Sequence, residues 1–389
     1  MNSALRVRVL LHEAGRTGVP VLLERLLEWA RSGSGEPVEF DLVVRHGGAL
    51  LPRLERWTST TTVVEPGGRR SLSDAAAVGA ALAGLPASTT DAIRSSRWRR
   101  LTRHLPRPDV VLVHGAGAWP LVRSVRSAAP IVLHLQELGV ALDRSVPRPD
   151  QELMLRRCAR VLTVGAEVSE LARRRGAPAD RIELLPGVAD PHARTTLSEV
   201  APNVVAAVGT PGWRKGADRF TALAHELGRT HPGTTCRWVG GAPGGTSSLA
   251  VGAEDPVEWA EATEDPWRHL ADVAVLVVPS REDPLPLVAL EAGQRGVPVV
   301  ATESGGLNEL LADGRGVVVP QGDLRALHRA VARMLDEPDG ARRHGSALRA
   351  RVEACHRVER VGPRWLRALR DAAAGTPPSA IEDGERLDA

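Results

Sequence analysis

Cysteine is scarce. Cys158, Cys236 and Cys355 are too few and too scattered for a disulfide framework or a metal site, a usage that suits a reducing cytoplasm. There is no Asp-x-Asp anywhere and no clustered set of metal ligands, so metal-independent chemistry is expected. Tyrosine is absent and only nine Trp and two Phe occur, too few to interleave with a basic patch. Nucleic acid is therefore not an expected partner, and a net charge of +3 with a pI near 9.2 permits no more than contact with anionic substrates or a membrane surface. Long apolar runs are missing too: AAAVGAALAGLPA (75–87) is too short and too rich in Ala and Gly to span a bilayer. The chain opens on a charged strand, not on a basic segment followed by an apolar one, so no signal peptide is expected. These absences predict a soluble, cytoplasmic protein, at most peripheral to a membrane. Lysine is the rarest cation: of the 50 Lys plus Arg, only Lys215 is Lys. That residue marks either a place where a compact ammonium is wanted or a chance survivor of an Arg-biased composition.

What is present centres on 273–302. VAVLVV (273–278) is an unbroken apolar run without alternation, the signature of a central parallel strand covered on both faces. After Pro286, the positions Leu287, Val288, Leu290, Glu291 and Gln294 fit a helix with Pro in its first turn. Gly296 and Pro298 stop it before the next strand, VPVVAT. The helix N-terminus then lies at the carboxyl end of a strand, where backbone N–H groups and the macrodipole favour an anion. Asp283 and Glu291 stand eight positions apart beside it. Carboxylates bind hydroxyls rather than phosphate, so a ligand with phosphate at the helix end and sugar hydroxyls around it, a nucleotide sugar, satisfies both. A plain βαβ unit with surface acids is the alternative.

The same residues resemble the donor-site motif of retaining, family 4 type (group 1) glycosyltransferases. In that motif an acid, seven residues and a Glu precede a Gly-Val-Pro-Val-Val strand and a Gly-Gly-x-x-Glu turn. Here these are Asp283, Glu291, GVPVV (296–300) and Gly305, Gly306, Glu309. Asp283 departs from the usual Glu, with Glu282 beside it. The resemblance is dense over 204–320 and thinner before. It implies an α/β chain of two Rossmann-like doubly wound domains facing across a cleft, the glycosyltransferase-B fold. It also implies a hexosyltransferase acting on a nucleotide-diphosphate sugar with retention, with no covalently bound cofactor.

In the N-terminal half, LRVRVLL (5–11), a Gly-bounded loop (12–20) and VLLERLLEWA (21–30) read as strand, loop and helix. Arg16 in that loop can reach a phosphate or an acidic acceptor. The loop also resembles a Ser/Ala-Arg-Thr-Gly-Ala-Pro loop of some glycosyltransferases, which implies that Gly15, Arg16, Thr17 and Gly18 face the cleft. Further strands are expected at 38–44, 61–66, 108–114, 130–137, 159–164 and 180–186, with a helix at 166–175 and two helices between 71 and 105. The second of these, RSSRWRRLTRH (94–104), is read as a solvated face rather than a membrane anchor. GAGAWP (115–120) with Glu137 gives a weak dinucleotide outline, because Pro120 stands where the third Gly belongs. The resemblance places a His close to the donor sugar where Gln136 stands here, and gives Gln136 and Glu137 an acceptor-side role. Gln hydrogen-bonds a hydroxyl but does not titrate near neutrality. His134 points the same way by strand alternation and is read as a core histidine.

In the C-terminal half, VVAAVG (204–209) runs into TPGWRKGAD (210–218) and a helix at 220–228. Adjacent Arg214 and Lys215 in a Gly-rich loop can place two cations on a diphosphate. The family spacing Gly-x-x-x-x-x-Lys-Gly matches 209–216, with Thr210 in place of a common Arg. Lys215, Arg214, Asp283 and Glu291 are the expected catalytic set, and Gly209, Pro284, Leu285, Pro286 and Leu287 join them around the donor. Trp259 in VEWAEAT (257–263) is a base-stacking candidate, though a strand Trp is more often core. A strand at 316–320, a helix at 323–337 and helical residues 341–373 complete the pattern. The expected division is 1–190 on the acceptor side, a linker at 191–203, a donor domain at 204–340, helices at 341–374 packing back on the first domain, and a disordered tail at 375–389. The expected partners are the donor and a small-molecule or lipid or polysaccharide acceptor. Two other readings stand beside the transferase: a non-catalytic sugar-nucleotide-binding protein, and an NAD(P)-dependent oxidoreductase using Gly115, Gly117 and Glu137.

Overall fold

A computed structural model describes residues 4–65, 87–125, 127–193, 203–242 and 255–377. The first expected helix of the 71–105 stretch, most of the linker and the tail from 378 lie outside the described residues. The chain divides into two units. The first comprises Met1–Val164, Val168–Leu185 and Gly362–Ala389, and the second comprises Gly165–Glu167 and Pro186–Val361.

The first unit carries a seven-stranded sheet. Its strands are β1 (Leu5–Glu13), β2 (Val38–His46), β3 (Thr60–Val63), β4 (Val110–His114), β5 (Ile131–Leu135), β6 (Arg160–Thr163) and β7 (Ile182–Leu184), in the order β3-β2-β1-β4-β5-β6-β7. Every pairing is parallel. Apolar side chains of β1 and β4 are buried because helices cover both faces of such a sheet: Val7, Val9, Leu10, Val111 and Leu112 are all buried, and Arg8 is buried among them. The strand order reverses at β1 and β4, so loops diverge there at the carboxyl ends. Helix Gly18–Ser32 leaves β1 three residues earlier than its apolar pattern suggests, because Thr17 turns the chain in extended conformation. Two helices, Gly139–Ser145 and Arg148–Arg157, fill the β5 to β6 connection, where no helix was expected. At the chain's far end, the last helix, Val358–Ala373, places Trp365 on Phe40 with ring centroids 5.8 Å apart. Thr376 and Pro377 hold Arg160 through their carbonyl oxygens, so order continues past 375.

The second unit carries six parallel strands. They are β8 (Val204–Val208), β9 (Thr235–Val239), β10 (Val257–Ala260), β11 (Val273–Val278), β12 (Val299–Thr302) and β13 (Val317–Val319), ordered β10-β9-β8-β11-β12-β13. Successive residues of β11 feed opposite cores. Leu276 and Val278 join Leu290 and Leu348 on one side, while Val275 and Val277 join Phe220, Leu327 and Val331 on the other. The order reverses between β8 and β11, and the loops that follow these two strands build the site below. Residues 186–190 belong here, since Gln294 accepts from the Asp190 N–H at 3.0 Å and donates to its carbonyl at 2.8 Å. Helix Pro338–Cys355 also lies in this unit, with Leu348 and Val352 against helix Leu287–Gln294.

Candidate active site

β11 ends at Val278, and the chain turns through 279–286 into helix Leu287–Gln294. Pro286 occupies the N-cap, one position before the first turn where the sequence suggested it. The helix has no side-chain cap; the Ala289 N–H donates to the Pro286 carbonyl at 3.0 Å, and the N-terminus favours an anion through its dipole. The loop is fixed by close packing. Asp283 donates its N–H to Ser304 Oγ at 2.6 Å and receives the Ser304 hydroxyl at its carbonyl, 3.2 Å away. Gly305 has φ +53°, and a Cβ there would lie 2.1 Å from the Asp283 carbonyl oxygen, so only glycine lets the two backbones meet. Gly306 N–H donates to the Pro284 carbonyl at 2.6 Å. The Gly-Gly turn thus holds the 283–286 loop from behind, and the helix that follows it is only Leu307–Leu310.

The loop after β8 docks on the same segment. Lys215 Nζ lies 2.5 Å from Asp283 Oδ2, and Arg214 donates from Nη1 to the Glu282 carbonyl at 2.9 Å. Asp283 is 4 % exposed, whereas the Lys215 side chain keeps 23 %, so the ammonium remains reachable from solvent. Gly216 makes the approach possible, because its φ is +74° and a Cβ would sit 2.1 Å from the Pro279 carbonyl oxygen. Arg281 closes the outer side. It grips Asp218 with two hydrogen bonds of 2.7 and 2.6 Å, which hold the Asp218 carboxyl below its ordinary range, and it stacks on exposed Trp213 at 5.0 Å. Pro284, Leu285 and Leu287 line the loop half-buried, and Pro286 is buried.

Glu291, one turn into the helix, accepts the indole N–H of Trp267 at Oε2, 3.0 Å away. Arg295 covers that Trp at 4.5 Å and donates to the Glu291 carbonyl at 3.1 Å. The sequence singled out neither Trp267 nor Arg295. Asp265, which caps the short 3₁₀ helix Pro266–His269 by accepting from Trp267 N–H, was the one local sign that this Trp is fixed. Trp259 donates to Asp255 Oδ2 at 2.8 Å and lies 5.8 Å from the ring of buried Trp238, so it is built into the β9–β10 edge.

In the first unit, the 15–18 loop follows β1. Arg16, Thr17 and Gly18 are exposed, Gly15 is half-buried against the Glu13 carboxylate, and Thr17 Oγ1 lies 3.4 Å from Glu13 Oε1. Gln136 is reached through His114, whose Nε2 lies 2.9 Å from the Gln136 amide and 3.0 Å from the Val19 carbonyl oxygen. Burial pushes the His114 imidazole down to about 3. His134 is fully buried with its ring 4.9 Å from that of His114, as a core histidine. The Glu137 carboxylate is half-buried and engaged by backbone amides. Its Oε1 accepts the Ala116 N–H at 2.8 Å and its Oε2 the Gln136 N–H at 2.9 Å, with the Gly117 N–H also directed at the carboxylate. It therefore caps the 3₁₀ helix Ala116–Ser124. The amides that a dinucleotide pyrophosphate would need in a G-x-G loop already hold an internal carboxylate, which removes the support for an oxidoreductase. The cysteines are all free, and burial pushes the Cys158 and Cys236 thiols up to about 12, so neither offers a thiolate nucleophile near neutrality.

Comparison with known proteins agrees with this arrangement. Residues 202–337 match the family described as Glycosyl transferases group 1. The chain is 35% identical over 162 residues to a glycogen synthase of Mycobacterium tuberculosis, a match covering 37% of each chain. It is 29% identical over 289 residues to a 2-deoxystreptamine N-acetyl-D-glucosaminyltransferase of Streptomyces fradiae, covering 63% of this chain and 66% of that one. Among solved structures it superposes on Anabaena Alr3699/HepE in complex with UDP-glucose, with a TM-score of 0.74 and 16% identity over 94% of this chain and all of that one. The aligned part thus spans little more than a third of the glycogen synthase. The chain has the two-domain glycosyltransferase-B fold, and its second unit carries a group 1 glycosyltransferase domain.

Proposed function

We propose that this protein transfers a hexosyl group from a nucleoside-diphosphate sugar to an acceptor hydroxyl, with retention of configuration and without a metal. The observation that carries the reading is the meeting of Lys215 with Asp283 at an uncapped helix N-terminus, one turn before Glu291. Lys215, Arg214 and the helix amides are suited to the diphosphate, and the Lys215 stem passes close to Gly209. Charge-assisted hydrogen bonds contribute roughly 1.5–3 kcal/mol each, against up to about 2 kcal/mol for a helix terminus. The two cations therefore supply most of the stabilisation of the departing phosphate. Asp283, Glu291 and the 284–287 backbone are left for the sugar. In the retaining course, the acceptor hydroxyl attacks the anomeric carbon from the leaving-group side. The glycosyl–oxygen bond to phosphate breaks, and the hydroxyl proton passes to the departing phosphate oxygen. Gly15, Arg16, Thr17, Gly18 and Gln136 serve the acceptor, a small molecule or a lipid or polysaccharide precursor. Glu137 is removed from that set by its hydrogen bonds to backbone amides.

The test is a thermal-shift panel of UDP-, GDP-, ADP- and dTDP-sugars, followed by product analysis. The UDP-glucose bound to Alr3699/HepE makes the UDP member the first to try. One member is expected to raise the melting temperature in wild type and not in Lys215→Ala, and the product is expected to keep the donor's anomeric configuration by NMR. No response from any member, or an inverted product, removes the reading or its stereochemistry respectively.

A further inference from the structure

Resting on that donor reading, we propose that Asp283 is a built-in competitor of the ligand's phosphate, which sets the site against free nucleoside diphosphate and in favour of the sugar nucleotide. Lys215 Nζ is 2.5 Å from Asp283 Oδ2. The carboxylate is fixed in place. The Asp283 backbone is pinned by Ser304, which accepts from its N–H and donates to its carbonyl, and Gly305 lies close behind it. The Lys215 stem passes Gly209, whose carbonyl is held by the Trp238 indole N–H at 2.6 Å. Any phosphate that reaches the chain's one ammonium side chain therefore arrives beside a buried carboxylate.

The two ligands meet that carboxylate differently. A sugar nucleotide brings hydroxyl donors that a carboxylate accepts, and its diphosphate is esterified at both ends. A free nucleoside diphosphate keeps its ribose hydroxyls but brings to this carboxylate, where the transferred sugar would lie, only the acceptor oxygens of its terminal phosphate. Its terminal phosphate has a second ionisation near pH 6, so at pH 7.5 it carries about one more negative charge. Like charges at such a distance repel strongly where water is partly excluded. Transfer of the sugar thus converts a ligand that satisfies Asp283 into one that Asp283 opposes, and the same carboxylate that receives the donor expels the product.

The experiment is calorimetric titration of the full chain with UDP, GDP, ADP and dTDP and with their glucose conjugates at pH 7.5. In Asp283→Asn, the nucleoside diphosphate that binds wild type is expected to bind about tenfold or more tightly, while its glucose conjugate gains nothing, and product inhibition deepens accordingly. Asp283→Ser, which also removes the charge, is expected to show the same shift, so the result does not hang on one variant's folding. Asp283→Asn with Lys215→Met loses the gain. Equal changes for both ligands, or weaker diphosphate binding, in a protein whose wild type binds diphosphate through Lys215, overturns the proposal alone. Absence of binding to every diphosphate and conjugate, unchanged by Lys215→Met, overturns the donor-site reading and this proposal with it.

Discussion

The indole N–H of Trp267 donates to Glu291 Oε2 across 3.0 Å, and the guanidinium of Arg295 lies over the face of the same indole. One ring thus sets the position of a carboxylate in the helix that begins the proposed donor site. Trp267→Phe removes the N–H donor and leaves Arg295 a smaller aromatic face. A hydrogen bond to a charged group is worth about 1.5–3 kcal/mol, so kcat/KM for the sugar nucleotide is expected to fall by roughly 10- to 100-fold, with a lower melting temperature because the smaller ring leaves space in a buried cluster. Binding of the free nucleoside diphosphate, which lacks the transferred sugar and its hydroxyls, stays as in wild type. A calorimetric comparison of the two ligands checks this.

Gly216 supports a second prediction. Its left-handed backbone would cost an alanine about 1–2 kcal/mol by itself, and the added Cβ would collide with the Pro279 carbonyl 2.1 Å away. Gly216→Ala is expected to separate the Lys215 loop from the β11 loop. Urea unfolding would register a loss of about 2 kcal/mol or more, and diphosphate binding would weaken with it. Gly212→Ala, where an added Cβ meets nothing within 4 Å, is the control expected to show neither.

Acid stability follows from the buried imidazoles. Burial pushes His114 to about 3, His356 to about 4 and His134 well below 6.5. Since the unfolded chain protonates each near 6.5 and the folded chain does not, the folded state binds fewer protons between those limits. Stability is therefore complete above pH 6.5 and falls as pH drops, by up to about 1.4 kcal/mol per pH unit for each His. Glu137 and Glu183, raised by burial, act in the opposite sense: their share is present at low pH and is lost as pH rises through their folded values, so they offset part of the slope above about 4.5. Both ring nitrogens of His134 lack a partner among the described residues. His134→Phe should therefore raise the melting temperature at pH 7.5 and flatten its fall between pH 6.5 and 4.5.

The elements that the sequence announces clearly are those whose burial is simplest. β4, β8 and β11 are continuous apolar runs because helices cover both their faces, and helix Leu287–Gln294 is framed by Pro and Gly. The helices at 139–145 and 148–157 stayed hidden because the inner face of the second is Gln151, Met154 and Leu155. A buried Gln, donating to Val146 O and Asp143, interrupts the apolar stripe that would have revealed it. In the proposed site, Arg214, Lys215 and Asp283 stand in loops near glycines and Glu291 in a helix framed by Pro and Gly, which is why the sequence alone draws attention to them. Trp267 was not legible, because its partner Glu291 lies 24 residues on, at no local spacing. Glu137 was legible as an acid at a strand end but not as a helix cap, because the amides it serves are 21 residues back.

A chain with one lysine also has one ε-amino group, and here that group sits in the loop after β8, the proposed donor loop, with part of its surface open. Amine-selective reagents and lysine-specific proteases consequently have a single internal target, which divides the sequence into residues 1–215 and 216–389. Cleavage or labelling at that position reports occupancy of the site directly, with no tag and no knowledge of the acceptor.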